Sequence, residues 1–323
     1  MIPQVLFLLA AGAVCSAPER LLTWPSPKDP TWSLCVLTPR DSSGPSGSGL
    51  EIRDAHFKGR PVLRRAHAPV VSAFYEGGCG CWRGWASQEA PFEVVGSGGP
   101  AAGEAGSWAE AAVPPRTACD TGSDDTGAFR GVATESLSDR LILTTQMSAA
   151  WDRYTMSWTF RLDGTIEPRF SFSAAASACS AHSHVHHVYW RFDFDLGGEA
   201  TAGDREEMRR VGVGRKPPVS VMDPKARRGY LLIPGPEAYA QPADPSSVGD
   251  IWVLEPKPGE ITDAGSGCAI DFSGMLNDEP LDGAGRVVWY RGSVHHAGGQ
   301  FDECEDVGPT LQPVGDWSRS IRP

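Results

Sequence analysis

The sequence contains very little asparagine and lysine. Asn277 is the single asparagine among 323 residues, lysine occurs five times, and no Asn-x-Ser/Thr sequon is present, which excludes N-glycosylation. The 40 aspartate and glutamate residues outnumber the 29 lysine and arginine residues, and the formal net charge is -11. Because binding to nucleic acid depends on clustered cationic charge, this balance argues against a nucleic-acid partner.

Long apolar runs are scarce as well. The run from Val5 to Val14 is about half the ~20 residues that a membrane-spanning helix needs, and no later segment is apolar enough to cross a bilayer. Small residues follow as far as Ala17, and Pro18 ends the pattern. This arrangement is typical of a secretory signal peptide, so we predict a leader over residues 1–17, a secreted protein and no membrane partner.

Signals for long helices are missing, whereas glycine (37) and proline (27) are plentiful. Apolar and polar residues alternate strictly from Val188 to Leu196, as in a strand with one buried face, and Asp163-Gly164 indicates a hairpin between two further strands. The sequence therefore predicts an all-β protein, a large antiparallel β-sandwich. We assign residues 18–47 to an N-terminal extension with a Gly/Ser linker and residues 48–323 to the sandwich domain.

The cysteines favour structural bridges. Removal of the leader would take Cys15 with it and leave seven cysteines, so that one is expected to stay unpaired in an exported protein. Cys79-Gly80-Cys81 lacks the spacing of a CxxC redox motif, and no second such pair indicates a zinc finger. The spacing alone does not determine which cysteines pair.

Six of the eight histidines fall in two short stretches, residues 182–187 and 295–296. In an extended chain His184 and His186 share one face, while His187 points the other way. Two ligands from one strand and a third from a distant strand are a common way to hold a metal ion. A solvated histidine-rich turn is the alternative interpretation, and the spacing does not distinguish copper from zinc.

The run from His184 to Asp195 resembles the copper-ligand strand of the copper amine oxidases. The tail is also similar to that family, because His296 follows Trp289 by seven residues, as the family's third copper histidine does. The resemblance implies the family's large β-sandwich and copper bound by His184, His186 and His296, with zinc as the alternative metal. It also implies a disulfide between Cys81 and Cys119.

The sequence departs from this family where the quinone cofactor forms. The family makes topaquinone from a tyrosine in Thr-x-x-Asn-Tyr-Asp/Glu, and an ungapped match places Asp152 at that position, or Trp151 after a shift of one residue. Neither residue can become topaquinone, which is therefore not expected. Tyr154 is the nearby candidate for a replacement, but it is displaced by about 6.6 Å along a strand. Asp152 is a candidate fourth metal ligand.

The family's general-base aspartate is also missing, since Phe74 to Gly78 leads directly into Cys79. The first hypothesis is accordingly a secreted copper-binding protein without a quinone. The second is an active primary-amine oxidase or another copper-dependent oxidoreductase, acting on a small amine or another small molecule with Asp152 or Tyr154 in a catalytic role. The third is a metal-free binding or structural module. The oligomeric state stays open.

Overall fold

The computed structural model describes fourteen parts of the chain: residues 12–43, 49–83, 93–94, 108–110, 132–149, 151–174, 177–196, 201–202, 218–223, 225–235, 251–256, 286–298, 304 and 306–318. Within these ranges no helix is long and apolar enough to cross a membrane. A short 3-10 turn spans Pro39–Asp41. Almost all remaining regular structure is β-strand, which is numbered below in chain order.

The strands form two sheets. An eight-stranded sheet contains β1 (Arg20–Trp24), β2 (Trp32–Leu37), β3 (Glu51–Phe57), β4 (Arg60–Tyr75), β5 (Cys81–Arg83), β12 (His184–Phe194), β16 (Ile251–Leu254) and β17 (Arg286–His296). A ten-stranded sheet contains β6 (Glu93–Val94), β7 (Trp108–Glu110), β8 (Val132–Ser136), β9 (Arg140–Ala149), β10 (Asp152–Arg161), β11 (Ile166–Ala174), β13 (Thr201–Ala202), β14 (Val219–Asp223), β15 (Arg228–Ile233) and β18 (Thr310–Gly315).

Large buried rings join the two sheets face to face. Trp32 of β2 contacts Phe160 of β10 with ring centroids 5.2 Å apart, and the Trp32 indole also donates a hydrogen bond to the carbonyl of Arg161. Trp158 of β10 contacts Phe192 of β12 in the same way, at 6.2 Å. The predicted all-β antiparallel sandwich is thus confirmed, with its apolar core between the sheets. One described pair, β7 with β8, is parallel.

The centre of the eight-stranded sheet is β4 beside β12 and β17, in the order β4-β12-β17. The sequence predicts two short strands in residues 61–66 and 69–75, but the structure has one strand of 16 residues. The register between β4 and β12 shifts where Tyr189 and Arg191 face Val70 and His67. Pro69 lies in this irregularity, where a residue without an N–H is tolerated in a central strand.

The hairpin predicted at Asp163-Gly164 connects β10 to β11. The Asp163 carboxylate accepts a hydrogen bond from the Thr165 amide, and Gly164 has a φ of 97°. A Cβ at Gly164 would lie 2.6 Å from the Phe57 ring of the opposite sheet. Glycine therefore meets two demands here, a left-handed backbone and close contact with the core.

The N-terminal part differs from the sequence assignment. Residues 20–37, expected in an extension, form β1 and β2, which pair in sequence order with β3 and so belong to the sandwich. Residues 1–11 of the expected leader lie outside the described residues. Cys15, predicted to leave with the leader, instead forms a disulfide with Cys35. A leader ending at Ala17 would remove one half of that bond.

A second disulfide joins Cys79 to Cys179, and Cys81 and Cys304 are also disulfide-bonded. No cysteine in the described part of the chain is free, so the expectation of one unpaired cysteine is not met there. The predicted partner of Cys81, Cys119, lies outside the described residues. Cys79 follows the end of β4 and Cys179 precedes β12, so this bond ties together the chain segments at one end of the two neighbouring strands.

Candidate metal centre

The three histidines predicted as ligands meet on the inner face of the eight-stranded sheet. β12 and β17 are antiparallel neighbours with His184 directly opposite His296, and their ring centroids lie 4.8 Å apart. His186 is two residues along β12 and therefore on the same face, with its ring centroid 5.0 Å from that of His184. All three side chains are buried. The alternation within one strand and the pairing between two strands create this cluster.

His187 and His295, from the same two stretches, face elsewhere. His187 points to the opposite face of the sheet, as predicted, where its Nδ1 lies 2.8 Å from the Ser293 hydroxyl. His295 is exposed, and its Nε2 lies 3.3 Å from the Ser183 hydroxyl. Because side chains alternate along a strand, only some histidines of the two stretches lie on the inner face of the sheet and join the cluster.

The ten-stranded sheet contributes a carboxylate from across the sandwich. Asp152, the first residue of β10, is buried, and ligand atoms of Asp152, His184 and His186 all lie within 4.8 Å of one another. His296 faces this three-residue group through its contact with His184. The structure thus brings Asp152 together with His184 and His186, and it places His296 beside His184.

A hydrogen bond determines which nitrogen of His184 has a lone pair that can bind a metal ion. Its Nδ1 lies 2.7 Å from the carbonyl oxygen of His182, which can only accept, so Nδ1 carries the proton. Nε2 is then the nitrogen with a lone pair, and it has no hydrogen-bond partner among the described residues. Burial lowers the pKa of His184 to about 4, which keeps the ring neutral at physiological pH.

His186 also contacts a neighbouring group through its Nδ1. Its Nδ1 lies 3.2 Å from the Tyr154 hydroxyl, and its buried Nε2 likewise has no hydrogen-bond partner within the described ranges. Burial, together with the neighbouring histidines His184, His187 and His296, holds the pKa of His186 well below its usual value. Both imidazoles are therefore buried and neutral, and each has an Nε2 atom without a hydrogen-bond partner among the described residues, a polar group that a metal ion satisfies.

Two tyrosine hydroxyls surround the Asp152 carboxylate. The Tyr75 hydroxyl donates to it, at 3.0 Å from each carboxylate oxygen, and the Tyr154 hydroxyl lies 3.3 Å from Oδ2. Burial raises the pKa of Asp152 to about 7, and the hydrogen bonds from Tyr75 and Tyr154 oppose that rise. A cation at this position would favour the ionised carboxylate.

Tyr154 lies closer to the centre than its sequence position suggests. Its ring is buried against Phe170 and His186, with ring centroids 5.3 and 5.5 Å away. It shares the face of Asp152, as the two-residue spacing predicts, and its hydroxyl contacts the imidazole of a candidate ligand. The structure places it behind His186 as a hydrogen-bonding neighbour.

Sequence reasoning missed Tyr75 and the role of Trp151. Tyr75 ends β4, and its ring stacks on His184 with centroids 4.4 Å apart and planes 23° from parallel. The indole of Trp151 donates to the Tyr75 hydroxyl at 2.9 Å. The sequence offered one signal for Tyr75, an aromatic residue at the end of a predicted strand, but nothing in the spacing connects it with residues 151–152.

Solved structures with a similar fold include an amine oxidase, a copper-containing benzylamine oxidase and a lysyl oxidase. The chain is similar to an amine oxidase from Aspergillus nidulans, with a TM-score of 0.57 and 16% identity, covering 97% of this chain and 55% of that one. A copper-containing benzylamine oxidase from Hansenula polymorpha gives a TM-score of 0.56 and 13% identity, covering 88% and 58%. The lysyl oxidase from Pichia pastoris gives 0.55 and 12%, covering 88% and 51%.

At these identities the likeness shows the fold, and the chain spans little more than half the length of these proteins. No protein-family model and no curated protein matches the sequence. The chain thus has the sandwich of the copper amine oxidase catalytic domain around a buried group of imidazoles and a carboxylate. Imidazole and carboxylate donors suit both Cu(II) and Zn(II), so the residues present fit a metal ion.

Proposed function

We propose that this protein binds a metal ion, copper in the first place and zinc as the alternative, through His184, His186, His296 and Asp152. The observation that carries the proposal is that ligand atoms of the buried residues His184, His186 and Asp152 lie within 4.8 Å of one another, while the buried Nε2 atoms of both histidines have no hydrogen-bond partner among the described residues. The similarity of the fold to copper-containing oxidases supports copper over other metals. An ion at this position would supply positive charge and could polarise a small molecule bound beside it.

The proposal includes a centre without topaquinone, because an ungapped match to the family places Asp152 at the position of the precursor tyrosine, or Trp151 after a shift of one residue, and neither can form the quinone. A carboxylate at that position can bind a metal directly, whereas it cannot be oxidised to a quinone. The leading function is therefore metal binding in a scaffold derived from an oxidase. We also propose that the protein is secreted, since a disulfide such as Cys79–Cys179 persists in oxidising compartments.

Elemental analysis of protein purified without added metal tests the proposal. Near-stoichiometric copper or zinc is expected in the wild type and should be lost in His184→Ala. His187→Ala is the matched control, because His187 belongs to the same strand but faces the other side of the sheet. Equal metal content in all three proteins would show adventitious binding by the histidine tract. Absence of metal after incubation with Cu(II) or Zn(II) would favour the metal-free binding or structural module.

A second candidate function is a copper-dependent oxidoreductase, including a primary-amine oxidase acting on a small amine. The observation in its favour is that two tyrosine hydroxyls, those of Tyr75 and Tyr154, contact the Asp152 carboxylate beside the proposed ion. A hydrazine reagent that labels quinones, applied to copper-loaded protein after exposure to air, separates the two functions. Labelling that disappears in Tyr154→Phe or Tyr75→Phe would establish the oxidase, and no labelling is expected.

A further inference from the structure

Tyr75 contacts one candidate ligand from each sheet. Its ring stacks on His184, which belongs to the eight-stranded sheet, and its hydroxyl donates to Asp152 of the ten-stranded sheet. Tyr75 and His184 are also cross-strand partners in β4 and β12, so the backbone register holds the two rings together.

The hydrogen atoms around Asp152 have one consistent arrangement. The Trp151 indole can only donate, so the Tyr75 oxygen accepts from it at 2.9 Å and its own hydrogen points to the carboxylate. On the other side, the Tyr154 hydroxyl lies between Asp152 Oδ2 and His186 Nδ1, at 3.3 and 3.2 Å. When His186 binds an ion through Nε2, its Nδ1 donates to Tyr154, whose hydrogen then goes to Asp152.

In the metal-bound arrangement, the two chains of hydrogen bonds run from donor to acceptor towards Asp152. Both chains of hydrogen bonds, from Trp151 through Tyr75 and from His186 through Tyr154, end as donors to the same carboxylate. Two donors fix the plane of Asp152, as hydrogen bonds from neighbouring groups commonly fix the ligands of metal sites. Tyr154 is buried beneath His186, whereas Tyr75 is only partly buried and lies over His184.

We propose that Tyr75 is a positioning residue of the metal centre, which holds the Asp152 carboxylate in place through its hydroxyl and the His184 imidazole in place through its ring. This inference rests on the proposed metal-binding function. The two actions are separable, because Tyr75→Phe removes the hydroxyl and retains the stacked ring, while Tyr75→Leu removes both.

The test measures Cu(II) affinity, by competition with a chelator of known affinity, and the electron paramagnetic resonance spectrum of the bound Cu(II). Tyr75→Phe should weaken copper binding about 10- to 100-fold, the range typical of residues that orient metal ligands, and should alter the copper hyperfine splitting. Tyr75→Leu should weaken it further. Trp151→Phe should shift the spectrum in the same direction by a smaller amount, because it frees the Tyr75 oxygen from its donor.

Tyr230→Phe is the matched control. Tyr230 is buried, and its hydroxyl donates to the Gly164 carbonyl at the Asp163-Gly164 hairpin, so its loss should leave copper affinity and spectrum unchanged. Thermal unfolding of the metal-free variants shows whether each one folds. If Tyr75→Phe does not fold, Trp151→Phe carries the test alone.

Two outcomes separate this inference from the proposed function. Copper that binds Tyr75→Phe with the affinity and spectrum of the wild type would overturn the positioning role and leave the metal centre intact. The same holds for an unchanged spectrum in Trp151→Phe. A wild-type protein that binds no copper in the competition assay would overturn the metal centre itself and the positioning role with it.

Discussion

The phenol ring of Tyr75 lies stacked on the imidazole of His184, with ring centroids 4.4 Å apart and planes 23° from parallel. Because the two residues are cross-strand partners in the middle of a sheet, this contact is set by the backbone before any ion arrives. The Nδ1 of His184 is held at the same time by the carbonyl of His182. The ring is therefore preorganised, which reduces the ordering that accompanies ligand binding.

His296 should contribute to metal affinity, and its neighbour should not. His296 is buried opposite His184, whereas His295 is exposed on the other face of β17. His296→Ala is expected to weaken Cu(II) binding by at least about tenfold, a free-energy change of ~1.4 kcal/mol, while His295→Ala leaves it unchanged. Isothermal titration calorimetry measures both. Equal affinities for the two variants would remove His296 from the ligand set.

Replacement of Asp152 by asparagine should show how much of the copper affinity depends on the negative charge of the side chain, because the two side chains have nearly the same shape. Asp152→Asn keeps one oxygen of similar position but removes the negative charge, so copper affinity is expected to fall by about tenfold or more. In metal-free protein the effect on stability has the opposite sign. The raised pKa of Asp152, about 7 against an unfolded value of 3.8, means that the protonated form favours folding.

The contribution of Asp152 to the stability of the metal-free protein is consequently complete below pH 3.8 and is lost as the pH rises through about 7. Asp152→Asn should remove this loss and unfold at a higher temperature than the wild type at pH 8, with the difference shrinking towards acid. Thermal denaturation in the presence of a chelator measures it. A variant that is less stable than the wild type at pH 8 would contradict the prediction.

A second buried pair should make the protein sensitive to acid. His67 and Glu51 lie side by side, with His67 Nδ1 3.6 Å from a Glu51 oxygen. The positive charges of Arg53, Arg65 and Arg191 also act on His67. Burial lowers the pKa of His67 to about 3, whereas the pKa of Glu51 is held below its usual value, against the effect of its burial, by hydrogen bonds from Ser43 and Arg53 and by the charge of Arg53.

In both groups the folded-state pKa is depressed, so the unfolded chain binds more protons in acid and stability falls with the pH. For His67 the loss runs from about 6.5 down to about 3. His67→Gln should shift acid unfolding to lower pH, by a free-energy difference on the order of 1–3 kcal/mol near pH 4. Circular dichroism against pH measures the shift, with exposed His295→Gln as the control. An unchanged midpoint in His67→Gln would count against the pair.

The Cys79–Cys179 and Cys15–Cys35 disulfides should differ in their effect on the centre. The Cys79–Cys179 bond closes a separation of 100 residues and fixes the segments next to Tyr75 and His184, whereas Cys15–Cys35 closes 20 residues at the edge of the sheet. Replacing both members of the first pair by serine is expected to lower the free energy of unfolding by about 2–4 kcal/mol and to weaken metal binding. The same change at Cys15 and Cys35 should cost less and leave metal affinity unchanged.

Much of the sandwich and its histidine group could be predicted, since both depend on short-range periodicity. Alternation placed His184 and His186 on one face and His187 on the other, and the hairpin at Asp163-Gly164 follows from local turn chemistry. The inclusion of His296 among the ligands came from resemblance to a known family, and its antiparallel pairing with His184 is known only from the structure. That pairing joins distant segments, and spacing within one segment does not encode it.

The remainder depended on contacts between distant parts of the chain. Tyr75 contacts Asp152 only because the two sheets pack face to face. The spacing of residues along the sequence does not predict a contact between different sheets. The Cys79–Cys179 pairing was likewise open, because cysteine positions alone allow many connectivities. β1 and β2 were missed because a short apolar strand beside a predicted leader and a Gly/Ser linker has little to distinguish it from an extension.

The candidate ligands come from opposite sheets, with Asp152 on one and His184, His186 and His296 on the other. In an unfolded chain the tract at residues 182–187 could still hold an ion loosely, in the manner of a purification tag. The distinctive spectrum of a bound Cu(II) ion with carboxylate and imidazole donors would therefore report the docking of the two sheets. The copper spectrum would thus distinguish folded protein from unfolded chains without an assay of activity.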